Sequence, residues 1–309
     1  MDQAQDTILS IEHVSNYYYD NGLGIFAKRK KKQILHDVSF TIGKDEFFGL
    51  VGESGCGKTT LGNCILGNIP FEGRITLRGM EKKDTDRLTF SRMVQSVYQD
   101  PSSALNPRRT IGQTMLEPLL AHGIGTPESR NCAVDTMLYR IGLDPTYKNR
   151  KPSELSGGQR QRVCIGAALM LEPELIIADE AVSALDVSVA SQILNLFLEI
   201  DVEKDFSMLF ISHNLSVVYY LCDRIGVMYK GRIVELGTAD DVYYRPAHPY
   251  TKLLLSAVPD IEGEKDRDRP AREEYESLYG TRNAWTLPGQ EYVNIAEEGA
   301  PEHLVLGRF

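Results

Sequence analysis

The stretch Leu155-Ser156-Gly157-Gly158-Gln159, continued by Arg160-Gln161-Arg162, gains its meaning from what stands on either side of it. Upstream, Gly52 to Thr59 reads G-x-x-x-x-G-K-T directly after the apolar run Phe47-Phe48-Gly49-Leu50-Val51. That is the strand, loop and helix order of a phosphate-binding loop. Downstream, Leu175-Ile176-Ile177-Ala178 runs into Asp179-Glu180, the pattern of a buried strand ending in two carboxylates. Gln99, in Val97-Tyr98-Gln99-Asp100-Pro101, lies between the first two motifs; Ser183-Ala184-Leu185-Asp186 and Ile211-Ser212-His213 follow the third. Taken alone, each has an ordinary explanation. An acidic pair after an apolar strand reads as well as a helix cap, and a lone histidine after a strand as a surface residue. Their order is what chance does not supply.

The chemistry of the first motif follows from its residue types. Glycines at 52, 55 and 57 free the backbone N–H groups of the loop, with Glu53, Ser54 and Cys56 between them, to converge on an anion at a helix N-terminus. Lys58 adds a point charge for β- and γ-phosphates, and the Thr59 hydroxyl, beside Thr60, can enter a Mg²⁺ shell that keeps most of its waters. Asp179 is suited to hold Mg²⁺ directly or through water, and Glu180 to orient and deprotonate an attacking water.

In this order the motifs resemble the ATP-binding-cassette superfamily. The resemblance implies an α/β fold, a P-loop NTPase with a RecA-like core, an antiparallel β subdomain and a helical signature subdomain, with ATP and Mg²⁺ bound. It further implies that Ser156, Gly157, Gly158 and Gln159 serve the nucleotide of a partner domain, Ser156 and Gly158 facing its γ-phosphate from a glycine-freed nest at a helix N-terminus. His213 would contact the γ-phosphate and help place the water, Gln99 would join the nucleotide and metal contacts with Asp179 and Thr59, and Asp186 would lie among the nucleotide contacts. Tyr18, within Tyr17-Tyr18-Tyr19, would stack on adenine; the bland reading of these rings as edge-strand aromatics must hold for at least one of them. One cassette holds half of two sites, so hydrolysis requires a dimer.

Two segments narrow the family. Gln99-Asp100-Pro101-Ser102-Ser103-Ala104-Leu105-Asn106-Pro107-Arg108 and Pro246-Ala247-His248-Pro249-Tyr250, continuing to Pro259, resemble the ATPases of bacterial oligopeptide and dipeptide importers. Gly57-Lys58-Thr59-Thr60-Leu61-Gly62 and the basic run Lys28-Arg29-Lys30-Lys31-Lys32 resemble the F-type subunit. The implied partners are a second ATPase subunit, D-type or a second copy, two transmembrane permease subunits and, indirectly, a substrate-binding protein, at the cytoplasmic face of the membrane. A soluble non-transport cassette such as a phosphonate-lyase accessory ATPase, or an importer of nickel chelates or another small solute, is the alternative. Ala181 departs from the usual proline, Ala167 from the usual arginine and Asn214 from the usual aspartate; none removes a catalytic group.

Composition agrees with this class. The chain of 309 residues is 42% apolar and 25% charged, as in a globular protein with a sizeable core. Its net charge of -9 argues against a nucleic-acid partner. Five cysteines without C-x-x-C spacing indicate neither disulfides nor a metal cluster. Thr126, Pro127 and apolar Val134, Met137, Leu138 and Ile141 before Gly142 predict an amphipathic helix, and Lys230-Gly231 a terminal hairpin. We expect an ATPase domain over 1–245 with a helical insert over about 100–170, a transporter-type motif over 246–259, and a charged linker and C-terminal tail over 260–309.

Overall fold

The apolar run that precedes the phosphate loop forms β3 (Phe47–Val51), with all five residues buried. A strand covered on both faces belongs to a sheet with other elements packed over each side. In the computed structural model, residues 7–20, 30–203, 206–256, 290–296 and 300–307 are described. In chain order, β1 (Thr7–Asp20) and β2 (Lys30–Gly43) precede β3; α1 (Lys58–Leu66), β4 (Glu72–Leu77), β5 (Met80–Glu81), α2 (Arg87–Met93) and β6 (Val94–Val97) follow it. Then come α3 (Pro101–Ala104), α4 (Ile111–Ala121), α5 (Pro127–Arg140), α6 (Gly157–Leu169), β7 (Leu175–Asp179), α7 (Val187–Glu203) and β8 (Ser207–Ser212). The chain continues with α8 (Leu215–Leu221), β9 (Arg224–Tyr229), β10 (Arg232–Thr238), α9 (Ala239–Tyr244), α10 (Pro249–Ser256), β11 (Tyr292–Asn294) and β12 (Leu304–Leu306). The chain forms two compact units, unit one containing Gly43–Asp45 and Met80–Leu209, and unit two Leu9–Ile42, Glu46–Gly79 and the described residues from Phe210 on.

In unit two, β3 pairs in parallel with β9, Val51 opposite Val227, and β9 pairs antiparallel with β10 through the turn at Lys230 and Gly231. Both turn residues have positive φ, as a two-residue hairpin turn requires. Asp223 fixes the start of β3: its carboxylate accepts from Phe47 N at 2.8 Å and its own N–H donates to Phe47 O. Phe48 stacks on Phe40 with ring centroids 4.7 Å apart. The β-rich opening also forms the antiparallel ladder β2-β1-β4.

In unit one, β6 and β7 pair in parallel with Val97 opposite Ala178. Helix α5 begins as expected, with Thr126 accepting from Ser129 N, Pro127 in the first turn and Val134, Met137 and Leu138 buried. It packs with α4 on α6, where a side chain at Gly166 would press on Ile141 and Met115. On α7, Ile193, Leu196, Phe197 and Ile200 are buried at helical spacing; burial of each such side chain contributes about 1.5–3 kcal/mol.

The charged stretch expected to be a linker lies outside the described residues, whereas part of the tail beyond it joins the sheet. Strand β12 pairs antiparallel with β10, Val305 opposite Glu235, and β11 pairs with β12. His303, Val305 and Leu306 are buried, because β10 would otherwise leave an edge of unpaired backbone groups. The β9–β10 hairpin is therefore interior to its sheet rather than terminal. Trp285, Tyr19's side chain and the basic residues Lys28 and Arg29 fall outside the described residues.

Candidate functional site

The phosphate loop leaves β3 at its C-terminal end, where ligands of α/β sheets bind. Gly52 is required by a close approach, since a Cβ there would lie 2.2 Å from the Met228 carbonyl. Gly57, at φ 117, is the N-cap of α1, which has no side-chain cap and no acidic residue in its first turn. The buried Lys58 folds back into the loop, Nζ donating to Gly52 O at 2.7 Å and Glu53 O at 3.1 Å. An ammonium, a helix N-terminus without an acidic cap and open space beside Gly55 fit a polyphosphate. Ser54 and Thr59 are exposed and Thr60 is half-buried.

Two loop residues depart from the expected cradle. The Glu53 N–H donates instead to the Tyr250 hydroxyl at 2.8 Å. Cys56 turns its side chain inward, 3.9 Å from Lys58 Nζ; burial pushes its thiol up against the opposing pull of that lysine. Its contribution to the loop is backbone, and its carbonyl accepts from Gly231 N at 2.8 Å.

Unit one carries the acidic pair. The parallel register of β6 and β7 delivers Gln99, exposed, and the half-buried Asp179 and Glu180 from the same end of neighbouring strands. Among the described residues no cluster of three or more His, Cys, Asp or Glu could hold a metal. Mg²⁺ needs no such cluster, since it is bound through one or two carboxylates and substrate phosphates. Glu180 has φ 50, a left-handed conformation that costs about 1–2 kcal/mol for a residue with a Cβ. Its carbonyl holds it there, accepting from Ser183 N and Oγ, both at 3.0 Å. Asp186 accepts from Val189 N at 3.0 Å and Ser188 Oγ at 3.1 Å, which keeps its carboxyl below the ordinary range. It caps α7.

The signature segment corrects the expectation of a glycine-freed nest. Gly157 and Gly158 are helical residues of α6, and neither has positive φ. Gly158 is glycine because α7 lies against it: a Cβ would sit 2.3 Å from Val189 Cγ1. Ser156 is the N-cap, its Oγ accepting from Gln159 N at 3.3 Å while Gln159 Oε1 accepts from Ser156 N at 3.0 Å. Gln159 also donates to Tyr147 Oη at 3.3 Å, so its side chain is engaged within unit one. Gln161, fully buried on the same helix, donates to Tyr98 O at 3.2 Å and so holds the residue before Gln99. The motif reading missed that link.

In unit two, His213 is exposed just past β8. Asn214 caps α8, accepting from Ser216 N at 3.0 Å, a task it performs as well as the usual aspartate. Tyr18 is 63% exposed, whereas the Tyr17 ring is covered by Lys31 Nζ at 3.4 Å from its centroid. Of the two, Tyr18 is the more exposed. No described helix is long and apolar enough to cross a membrane.

Residues 35–183 match the family described as ABC transporter, and residues 234–281 the family described as oligopeptide/dipeptide transporter, C-terminal region. The chain is 40% identical to the oligopeptide transport ATP-binding protein AppF of Bacillus subtilis (strain 168), over 97% of each chain. It is 41% identical to the oligopeptide transport ATP-binding protein OppF of the same organism, over 93% of each. Among solved structures, the dimeric post-hydrolysis state of the ATP-binding cassette MJ0796 bound to ADP and Pi superposes with a TM-score of 0.65 at 26% identity, covering 75% of this chain and 99% of that one.

Proposed function

The chain belongs to the oligopeptide/dipeptide group of ABC transporter ATP-binding proteins, and from that we propose that it is the F-type ATPase subunit of a peptide importer, working head to tail with a second ATPase subunit on a two-subunit permease. The 234–281 match carries the cargo class, because it distinguishes this group from cassettes at large. In this reading Gly52–Thr60 grip the ATP phosphates, Thr59, Gln99 and Asp179 hold Mg²⁺, and Tyr18 stacks on adenine. Bound Mg²⁺ draws charge from the phosphoryl oxygens. Glu180 takes the proton of the attacking water, and His213 orients that water against the γ-phosphate. Ser156–Gln159 and Asp186 of each subunit complete the partner's site. Ser156 reaches the phosphate through its hydroxyl at the N-terminus of α6, since Gln159 is already bonded at both ends.

The helical stretch over about 100–170 faces the permease in this assembly, and the complex sits at the cytoplasmic face of the membrane with a binding protein on the far side. Coexpression tests it. The chain, a D-type ATPase and two permease subunits should purify as one complex whose ATPase activity exceeds that of either ATPase alone by at least about tenfold, one decade being about 1.4 kcal/mol. Purification of this chain as a fully active species that never retains permease would reject the transport role.

A further inference from the structure

The Pro246–Tyr250 turn is tied to the phosphate loop on one side and to the tail strand on the other, all within unit two. Tyr250 is fully buried, and its ring lies on Tyr229 with centroids 4.3 Å apart. Its hydroxyl oxygen accepts from the Glu53 N–H at 2.8 Å, and burial keeps the phenol protonated by pushing it well above its ordinary range. The Tyr250 N–H donates to His248 Nδ1 at 3.1 Å. The N–H groups of Ala247 and His248 donate to the two carboxylate oxygens of Glu235, at 2.9 and 3.0 Å. Glu235, with no exposed surface, takes a third bond from His303 Nε2 at 2.7 Å. The hydrogen bonds therefore run without a break from the approach to β12, through β10 and the turn, to the second residue of the phosphate loop.

We propose that Tyr250 is a positioning residue for the nucleotide, holding Glu53 so that the following loop amides stay aimed at the phosphates, and that His303 of the tail braces it through Glu235. The inference rests on the reading of Gly52–Thr59 as the nucleotide site. A cradle of backbone amides binds well only if its dihedrals are fixed before the ligand arrives, because otherwise ordering them is charged against affinity. One flank of the loop is fixed by the Gly231 N–H on the Cys56 carbonyl, the other by Tyr250. A tyrosine suits this task, since its ring is stiff and its tip is polar. The tail then tunes nucleotide affinity without touching nucleotide.

The test is titration of the purified full chain with a fluorescent ATP analogue and Mg²⁺, reading both Kd and sites per chain. Tyr250→Phe keeps the ring on Tyr229 and removes only the hydroxyl; it should raise Kd about five- to tenfold, as expected for one lost hydrogen bond, with one site per chain retained. His303→Ala should raise Kd in the same direction, and His303→Gln, whose amide can still donate to Glu235, should restore it. A general loss of folding would instead lower the number of sites and leave Kd unchanged. Unaltered Kd in Tyr250→Phe, while Lys58→Ala raises Kd by at least about tenfold, would overturn the positioning role alone. Unaltered Kd in His303→Ala beside a raised Kd in Tyr250→Phe would overturn the part given to the tail. A Kd in Lys58→Ala within about twofold of the parent would overturn the reading of the nucleotide site itself.

Discussion

Glu180→Gln should bind ATP with unchanged affinity and lose hydrolysis at the site it serves by about 10²–10⁴-fold, the span of general-base catalysis. The amide keeps the size of the side chain and the left-handed backbone at φ 50, so the turn closed by Ser183 on the Glu180 carbonyl persists. What is lost is the carboxylate that takes the proton from water in the proposed mechanism. ATP should then accumulate in a closed dimer. Glu180→Gly separates strain from chemistry: it relieves the left-handed conformation by about 1 kcal/mol, which raises Tm by about 2 °C, and is equally inactive. Single-turnover hydrolysis and a melting curve on both variants check this. Near-normal turnover in Glu180→Gln would remove Glu180 from the reaction.

Lys58→Ala should lower nucleotide affinity by roughly ten- to a hundredfold, since a hydrogen bond from a charged donor contributes about 1.5–3 kcal/mol. The effect is amplified by the loop itself. Lys58 is only 4% exposed and its ammonium serves the carbonyls of Gly52 and Glu53, so its removal also loosens the loop. Isothermal titration with ATP and Mg²⁺ measures the loss; affinity within twofold of the parent would contradict the role given to Lys58.

The nucleotide motifs were legible because their chemistry is consecutive. Eight residues from Gly52 to Thr59 carry the loop, and the apolar runs before Gly52 and Asp179 mark the strands that position them. The tail was illegible for the opposite reason. Strand β12 has three residues, Leu304–Leu306, too few to show a period of two, and the histidine that anchors it reads as a polar surface residue. Its partner Glu235 lies 68 residues away. Tyr250 stood out within its motif, but nothing local announces a partner 197 residues upstream. The signature glycines were misread because a helix packing contact and a flexible loop both call for glycine. Only the closeness of Val189 to Gly158 separates them. Of the departures from the family pattern, Asn214 caps α8 and Ala181 is buried.

The most direct test of an ATPase that drives peptide import is uptake of labelled di- to pentapeptides in cells that lack this gene and express no redundant importer, with the gene restored on a plasmid as the parent or as Lys58→Ala. The account predicts that the parent restores uptake and that Lys58→Ala leaves it at the level of the deletion. Equal uptake in the deletion, the parent-complemented and the Lys58→Ala strains would contradict it.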